Sequence, residues 1–389
     1  MNFRERCLVC DSLDLKEIVN LGSHPFADTF IPKDRLSEAD LIYPLICDLC
    51  LDCGHVQTRC ITDPKARYAQ HEYSYTSSNS NFSRTHWDAY CKEIIDELKL
   101  NRGSLVVEIG SKDGYLSEQF QKSGLRAIGV DPSPYMAELA KKRNVHTIVS
   151  LFDEAAAEII LKEQGKAALI AANNVYNHSD NPLSFTKAVA NILDKDGYFV
   201  FEQPYWLTTV QTGKFDQIYH EHVSYYTVKS AKKLLERAGL KIKSAKIVDY
   251  HGGSLRIIAQ LSKSINEESP EVKRMIEEEE SYGLFSEELY REYMDKNIKN
   301  RNSFLEKVYK IKKEGGPIIA VGAAAKGNTF LNFYNLDASV LDYVTDSSPY
   351  KQGKFTPATR IPIVGDEIFS KYDKVYALIL SWNIAHQLK

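Results

Sequence analysis

The run Phe215-Asp-Gln-Ile-Tyr219-His220-Glu221-His222-Val-Ser-Tyr225-Tyr226 puts a phenol, a carboxylate and two imidazoles at four consecutive positions, 219 to 222. Histidine is the commonest general base near neutral pH, so the run is suited to removing a proton. In an extended segment alternate residues share a face, which groups His220 with His222 and Tyr219 with Glu221; in a turn all four can converge. His-x-His also suits a metal, but no further ligands cluster nearby in the sequence. A lone histidine is more often a satisfied core or surface group. A cluster in this place favours catalysis.

Well upstream, Ser104-Leu-Val-Val-Glu108-Ile-Gly110 reads as a buried strand, Ser-Lys-Asp113-Gly114 as a turn, and Tyr115 to Lys122 as a helix. Arg126-Ala-Ile-Gly-Val-Asp131 is the next strand. Such a βαβ unit carries its glycine turn at the crevice where doubly wound sheets bind ligands. A dinucleotide site uses G-x-G-x-x-G, so that backbone N–H groups approach a pyrophosphate. Here the pattern is E-x-G-x-x-x-G with acids at both ends, which fits S-adenosylmethionine (SAM), a ligand with a sulfonium and a ribose diol but no phosphate. Asp131 is expected to hold the ribose and Glu108 to sit near the amino-acid end, with Gly110, Asp113 and Gly114 forming the turn. Further strands, Ala167–Ala172 and Gly197–Glu202, end in polar residues at the same crevice. Asn173 is expected to receive the SAM amino group, and His178 to face donor or acceptor. The hydroxyl-rich stretch Glu72–Ser80, with Tyr75 and Ser78, is either a lid over the donor or a solvated linker.

These elements need a support on the other side of the crevice. His251-Gly252-Gly253-Ser254-Leu-Arg256 opens a strand, and residues 266–313 are charged and helical in pattern, read as long solvated helices. Pro317–Val321 then forms a strand, Gly322-Ala-Ala-Ala-Lys326-Gly327 a turn, and Asn328 the start of a helix. Val340–Asp346 is a following strand. This is not a phosphate loop, but a helix N-terminus with Lys326, and Lys351 and Lys354 in the next loop, suits a diphosphate. A nicotinamide site with Asp346 on its ribose is the rival.

Five of the seven cysteines lie between Cys7 and Cys53. Cys7-x-x-Cys10 and Cys50-x-x-Cys53 can put four thiolates around one tetrahedral Zn²⁺, a closed structural site. Cys47-x-x-Cys50 is a competing pair; Cys50 and Cys53 are preferred because Gly54–Gln57 then leaves the knuckle as a strand. No basic helix accompanies them, and a net charge of -3 argues against nucleic-acid binding. No apolar run is long enough to span a membrane and none follows the N-terminus, so a cytoplasmic protein, a monomer, is expected.

In order along nearly the whole chain, the two CxxC pairs, Y-x-Y-x-S-S, E-I-G-x-x-D-G, A-N-N-V-x-x-H-x-D, F-D-Q-I-Y-x-E-H, H-G-G-x-x-R, G-A-x-A-K-G-N-T and Trp382-Asn383 resemble the zinc-containing, SAM-dependent C-methyltransferases that act on nucleotide-linked 4-keto deoxysugars. The resemblance implies an α/β chain with a small zinc-binding domain (1–70), a central SAM-dependent methyltransferase domain of Rossmann-like fold (71–240), and a C-terminal Rossmann-like α/β domain (241–389). The nucleotide-diphosphate sugar would lie between the last two, against His251, Arg256, Lys326, Asn328 and Lys351. By the same resemblance His222 is the base that takes the C3 proton. Tyr219 and Glu221 would position the sugar, or stabilise the enolate and the protonation state of His222; His220 stands at a variable position of the motif. The alternatives are an O- or N-methyltransferase on a related sugar, a nicotinamide-dependent sugar oxidoreductase, and a non-catalytic zinc adaptor.

Overall fold

The computed structural model describes residues 2–64, 67, 78 and 80–387, without the side chains of 384, 386 and 387. Tyr75, expected at the donor lid, lies outside the described residues. The cysteine-rich segment folds as strands β1 (Asn2–Phe3), β2 (Leu15–His24), β3 (Tyr43–Cys50), β4 (Val56–Thr58) and β5 (Cys60–Ile61). β4 leaves the second CxxC pair as the sequence suggests. The N-terminal sheet is completed from elsewhere: β11 (Ser224–Tyr225), just after His222, pairs with β4 and gives the order β11-β4-β3-β2.

The central sheet comprises β6 (Leu105–Ile109), β7 (Arg126–Asp131), β8 (His146–Val149), β9 (Ala167–Ala171), β10 (Leu193–Pro204), β12 (Leu240–Val248) and β13 (Ser254–Leu261), in the order β12-β13-β10-β9-β6-β7-β8. β10 to β8 are parallel, and β13 and β12 are added antiparallel. The sheet therefore runs on to Leu261, past the boundary expected at 240. The reason is pairing: β13 lies along β10 from Tyr198–Gln260 to Pro204–Ser254. β6 has β7 on one side and β9 on the other. This is the topological switch point, where a doubly wound sheet opens a crevice at its strand ends. The helix Asn81–Leu98 starts where the Ser80 hydroxyl caps the Ser83 N–H at 3.1 Å. It buries Trp87, Tyr90, Cys91, Ile94 and Leu98, one helical stripe, on one face of the sheet.

The C-terminal sheet has β14 (Ile318–Val321), β15 (Tyr343–Thr345), β16 (Ile363–Val364) and β17 (Tyr376–Ile379), all parallel, in the order β16-β15-β14-β17. The helix after β14 begins at Ala325 rather than at Asn328, so Lys326 and Asn328 lie inside its first turns. Between the sheets the helices Pro270–Ser281 and Glu287–Lys313 are less solvated than their charge suggests. The first buries Glu279, which accepts the N–H groups of Val228 and Lys229 and the Tyr205 hydroxyl; the second buries Tyr290, Tyr293 and Asn297. The N-terminal unit also reaches the C-terminal domain, through the Ile31–Phe355 bridge and an Arg360–Asp40 ion pair at 2.6 Å.

Candidate active site

The stretch from Tyr219 to His222 is a turn and not a strand: the His222 N–H donates to the Tyr219 carbonyl at 2.9 Å. Its four polar side chains do not all converge. Tyr219 and His222 come together, with the phenol oxygen 2.7 Å from His222 Nε2. His222 Nδ1 lies 2.9 Å from the Gln217 carbonyl oxygen, which can only accept. That fixes the proton on Nδ1 and leaves the Nε2 lone pair to accept from the Tyr219 hydroxyl. His222 is 6% exposed, and burial lowers its pKa to about 4, so the ring is a neutral base at physiological pH. His178, from the turn after β9, has its ring centroid 5.1 Å from that of His222, and burial holds it neutral too.

The other two members go elsewhere. His220 packs between Phe26 and Tyr43 and meets the Pro44 carbonyl at 3.3 Å. Glu221 is turned toward Asp28; burial, followed by the Asp28 charge, raises its pKa to about 7, and its Oε2 has no partner among the described residues. Burial and the Gln217 carbonyl, not the Glu221 charge, set the protonation of His222.

At the switch point the glycine turn is built as a ligand crevice. Gly110 and Gly114 have φ of 72° and 73°; a Cβ on Gly110 would stand 2.9 Å from Val175, and one on Gly114 2.9 Å from Ala140. Only glycine combines that backbone with that closeness. The acids around the turn are tied to the protein. Glu108 accepts from the Ser117 N–H and hydroxyl at 2.9 and 2.5 Å, and burial raises its pKa to about 8. Asp131 accepts the N–H groups of Lys112 and Ser133, each at 2.9 Å. Asp113 receives the Ser78 hydroxyl and Arg143, which brings Ser78 to the turn. The Asn173 Oδ1 accepts the Glu202 N–H at 3.0 Å, and its Nδ2 is buried with no hydrogen-bond partner among the described residues.

The expected substrate residues separate in the same way. Lys326 and His251 stay at the crevice. The Lys326 ammonium donates to Asn383 Oδ1 and lies 4.3 Å from the Trp382 ring, and burial lowers its pKa to about 8. His251 Nδ1 is 3.5 Å from Asn383 Nδ2, and burial followed by the Lys326 charge keeps the ring neutral. Lys351 turns back onto the Ala323 carbonyl at 2.6 Å and toward Asp346 at 3.6 Å. Asn328 is 2% exposed and donates to the Ala27 carbonyl at 2.6 Å, clasping two domains where a sugar contact was expected. Arg256 is also redirected. It is 2% exposed and forks onto the fully buried Glu202 at 2.6 Å and the exposed Glu93 at 2.5 Å, because the buried Glu202 carboxylate needs a cation.

Sequence reasoning gave no separate role to Lys214, Asp216 or Gln217. Trp382 donates its indole N–H to Asp216 at 2.6 Å, and Lys214 lies 5.0 Å from the same ring that Lys326 covers. The Gln217 side chain is held by the Thr209 hydroxyl and donates to the His251 carbonyl at 2.9 Å, while its backbone orients His222. The signal was present in the motif F-D-Q-I-Y, but spacing alone does not say that its Asp and Gln are anchors.

In the N-terminal unit the Sγ atoms of Cys7, Cys10, Cys50 and Cys53 all lie within 4.8 Å of one another, with Cys7–Cys53 and Cys10–Cys50 at 3.5 Å. A tetrahedral thiolate site with Zn–S of ~2.3 Å needs S–S of about 3.8 Å, so the set fits zinc. Without a cation the thiols share protons: hydrogen bonds from Cys53 and Cys7 pull Cys50 down, and Cys50 in turn pushes Cys7 up to about 12 and Cys53 higher. A divalent ion is what lets four thiolates coexist here. Cys47, fully buried in β3, is outside the cluster.

Comparisons with known proteins agree with this organisation. Three family models match successive stretches: "Putative zinc binding domain" over residues 7–68, "Methyltransferase domain" over 83–245, and "C-methyltransferase C-terminal domain" over 249–389. The C-methyltransferase NovU of Streptomyces niveus is 30% identical over 384 residues, which is 99% of this chain and 91% of that protein. Among solved structures, magnesium protoporphyrin IX methyltransferase from Synechocystis, with bound SAM, is 14% identical with a TM-score of 0.36, covering 48% of this chain and 87% of its own. A SAM-dependent methyltransferase from Clostridium acetobutylicum is 17% identical with a TM-score of 0.37, covering 47% and 93%. Neither structural likeness is close enough to carry an argument. No described helix is long and apolar enough to cross a membrane. With a zinc-binding four-cysteine unit, a methyltransferase domain and a relative that spans all but a few residues, the chain belongs to the C-methyltransferase family and is a SAM-dependent methyltransferase.

Proposed function

We propose that the enzyme methylates C3 of a nucleotide-linked 4-keto deoxysugar after His222 removes the C3 proton. The observation that carries this reading is the neutral, tautomer-fixed His222, with Nε2 2.7 Å from the Tyr219 hydroxyl. A carbon acid needs a free base lone pair and a hydrogen-bond donor for the oxygen that becomes negative. Oxygen or nitrogen methylation needs neither a ketone nor an enolate. The C3–H bond breaks, the proton goes to His222 Nε2, and the electron pair forms an enolate across C3, C4 and O4. Tyr219 is placed to transfer its hydrogen bond from Nε2 to O4 as the substrate C–H takes its place. The bound methyl donor supplies an electrophilic methyl; C3 bonds to it and the methyl–sulfur bond breaks. Holding both partners in line contributes much of the rate.

The Lys326 and Lys214 ammonium groups flanking Trp382, with Asp216 between them, support an anionic substrate such as a nucleotide diphosphate. The test is a mixture of protein, SAM and a thymidine-diphosphate 4-keto-2,6-dideoxy sugar in heavy water, read by NMR and mass spectrometry. C3 deuteration and a new C3 methyl are expected, both falling about 10²–10⁴-fold in His222→Ala. A methyl on oxygen or nitrogen, without exchange, would refute the carbon-acid reading.

A further inference from the structure

Gln203 is 1% exposed, and both its Nε2 and its Oε1 are buried with no partner among the described residues. Among the described side chains it is the one with two separate buried polar atoms unpaired. An amide buried with both groups unmet destabilises the fold, and a ligand that completes it removes that cost.

Its place in the sheet says which ligand. Gln203 stands near the C-terminal end of β10, at the crevice edge, between two turns that carry site residues. On one side Asn174, in the turn that leads to His178, donates its N–H to the Glu202 carbonyl at 2.7 Å. On the other, Gln203 pairs with Leu255 and Pro204 with Ser254, just after His251–Gly253. Phe201, two residues back on the same strand face, packs on Tyr176 with centroids 4.8 Å apart, and Tyr176 stacks on Tyr226 at 5.3 Å. Gln203 thus stands between the segments that carry His178 and His251.

We infer that Gln203 is a substrate-positioning residue that recognises an α-hydroxyketone, with Nε2 on the carbonyl oxygen and Oε1 on the neighbouring hydroxyl. This rests on the carbon-methylation reading. An amide offers N–H and C=O side by side, and an α-hydroxyketone offers C=O and O–H on adjacent carbons in the matching order. In the proposed sugar these are O4 and the hydroxyl on C3, the carbon that loses its proton. The bond to O4 strengthens as charge builds there, which favours the transition state over the ground state. The bond from O3 fixes which face of C3 meets the base and which meets the methyl. A ketone lacking that hydroxyl leaves the amide oxygen unpaired and is discriminated against.

Gln203→Leu and Gln203→Met keep the volume and remove the polar atoms. If the amide serves a substrate, both variants melt at the wild-type temperature or above it, because a buried unpaired amide is removed. Both keep the thermal shift induced by SAM, and both lose C3 deuterium exchange and methylation by about 100-fold or more in kcat/KM. A 3-deoxy 4-keto substrate exchanges slowly with wild type and is affected little by the substitutions. Exchange within a few fold of wild type in Gln203→Leu overturns the inference and leaves carbon methylation standing. A melting temperature lowered by several degrees in both variants also overturns it, since the amide would then be structural. Wild-type methylation of oxygen or nitrogen, without exchange, removes the reading beneath it and the inference with it.

Discussion

His222 owes its state to two neighbours of unequal kind. The Gln217 carbonyl decides which nitrogen holds the proton, and burial decides that there is only one. An ordinary imidazole is about 90% protonated one unit below its usual pKa near 6.5. With its pKa lowered to about 4, His222 remains the free base through that range and is protonated only below it. The acid limb of C3 exchange is therefore expected near pH 4 to 5, with full exchange at pH 5.5. The rate of deuterium incorporation against pH, with circular dichroism to confirm folding, tests it. A limb centred on 6.5 would show that the substrate complex does not keep the base desolvated. The chemistry of Tyr219 and His222 was legible because their types and spacing are unusual together. Which way Glu221 turns was not, because that depends on Asp28, far away in the chain.

Among the elements, β10 and β13 show how a charge can mislead. Arg256 follows His-Gly-Gly-Ser-Leu and reads as an anion ligand, yet pairing of Glu202 with Arg256 across the two strands places the guanidinium over a fully buried carboxylate. Glu93, from the helix Asn81–Leu98, closes the set at 2.5 Å. Removing one partner leaves uncompensated buried charge, so Arg256→Met should cost about 3–5 kcal/mol in denaturant unfolding, and Glu202→Gln should restore part of it in the double variant. A loss below ~1 kcal/mol would mean the pair is not holding the strands. The apolar runs of β6, β7 and β9 announced themselves, since strands buried on both faces have few alternatives. The helix after β14 began three residues earlier than its sequence suggested, for its Ala324 start has no side-chain cap to mark it.

Across the whole molecule the N-terminal unit is joined to the segment that carries His222 and is not an appendage. β11 begins two residues after His222 and pairs with β4, directly downstream of Cys50 and Cys53. The Thr58 N–H donates to the Val223 carbonyl at 2.9 Å, and the Asn328 amide binds Ala27 on the far side. Stripping zinc with a thiol-competent chelator, or Cys53→Ala, should therefore lower both the melting temperature and C3 exchange, although no cysteine touches the reacting atoms. Metal content, melting and exchange measured on the same sample check this. Unchanged exchange in metal-free, still-folded protein would uncouple the two units.

The four-cysteine cluster, the glycine turn and the Tyr219–His222 pair were written in local patterns, because a zinc knuckle, a strand–turn–helix and a histidine-rich turn each need particular residues at short range. Their partners were decided only in three dimensions. Whether Arg256, Asn173 and Asn328 meet substrate or protein depends on which buried groups the packed chain leaves in need of a partner. Glu202 drew Arg256 into the sheet and Asn173 onto its backbone, and the Ala27 carbonyl drew Asn328 into a domain contact. Gln203 was passed over by every such demand within the described residues. No spacing rule reveals that, since an unmet hydrogen bond is a property of the enclosure and not of the residue.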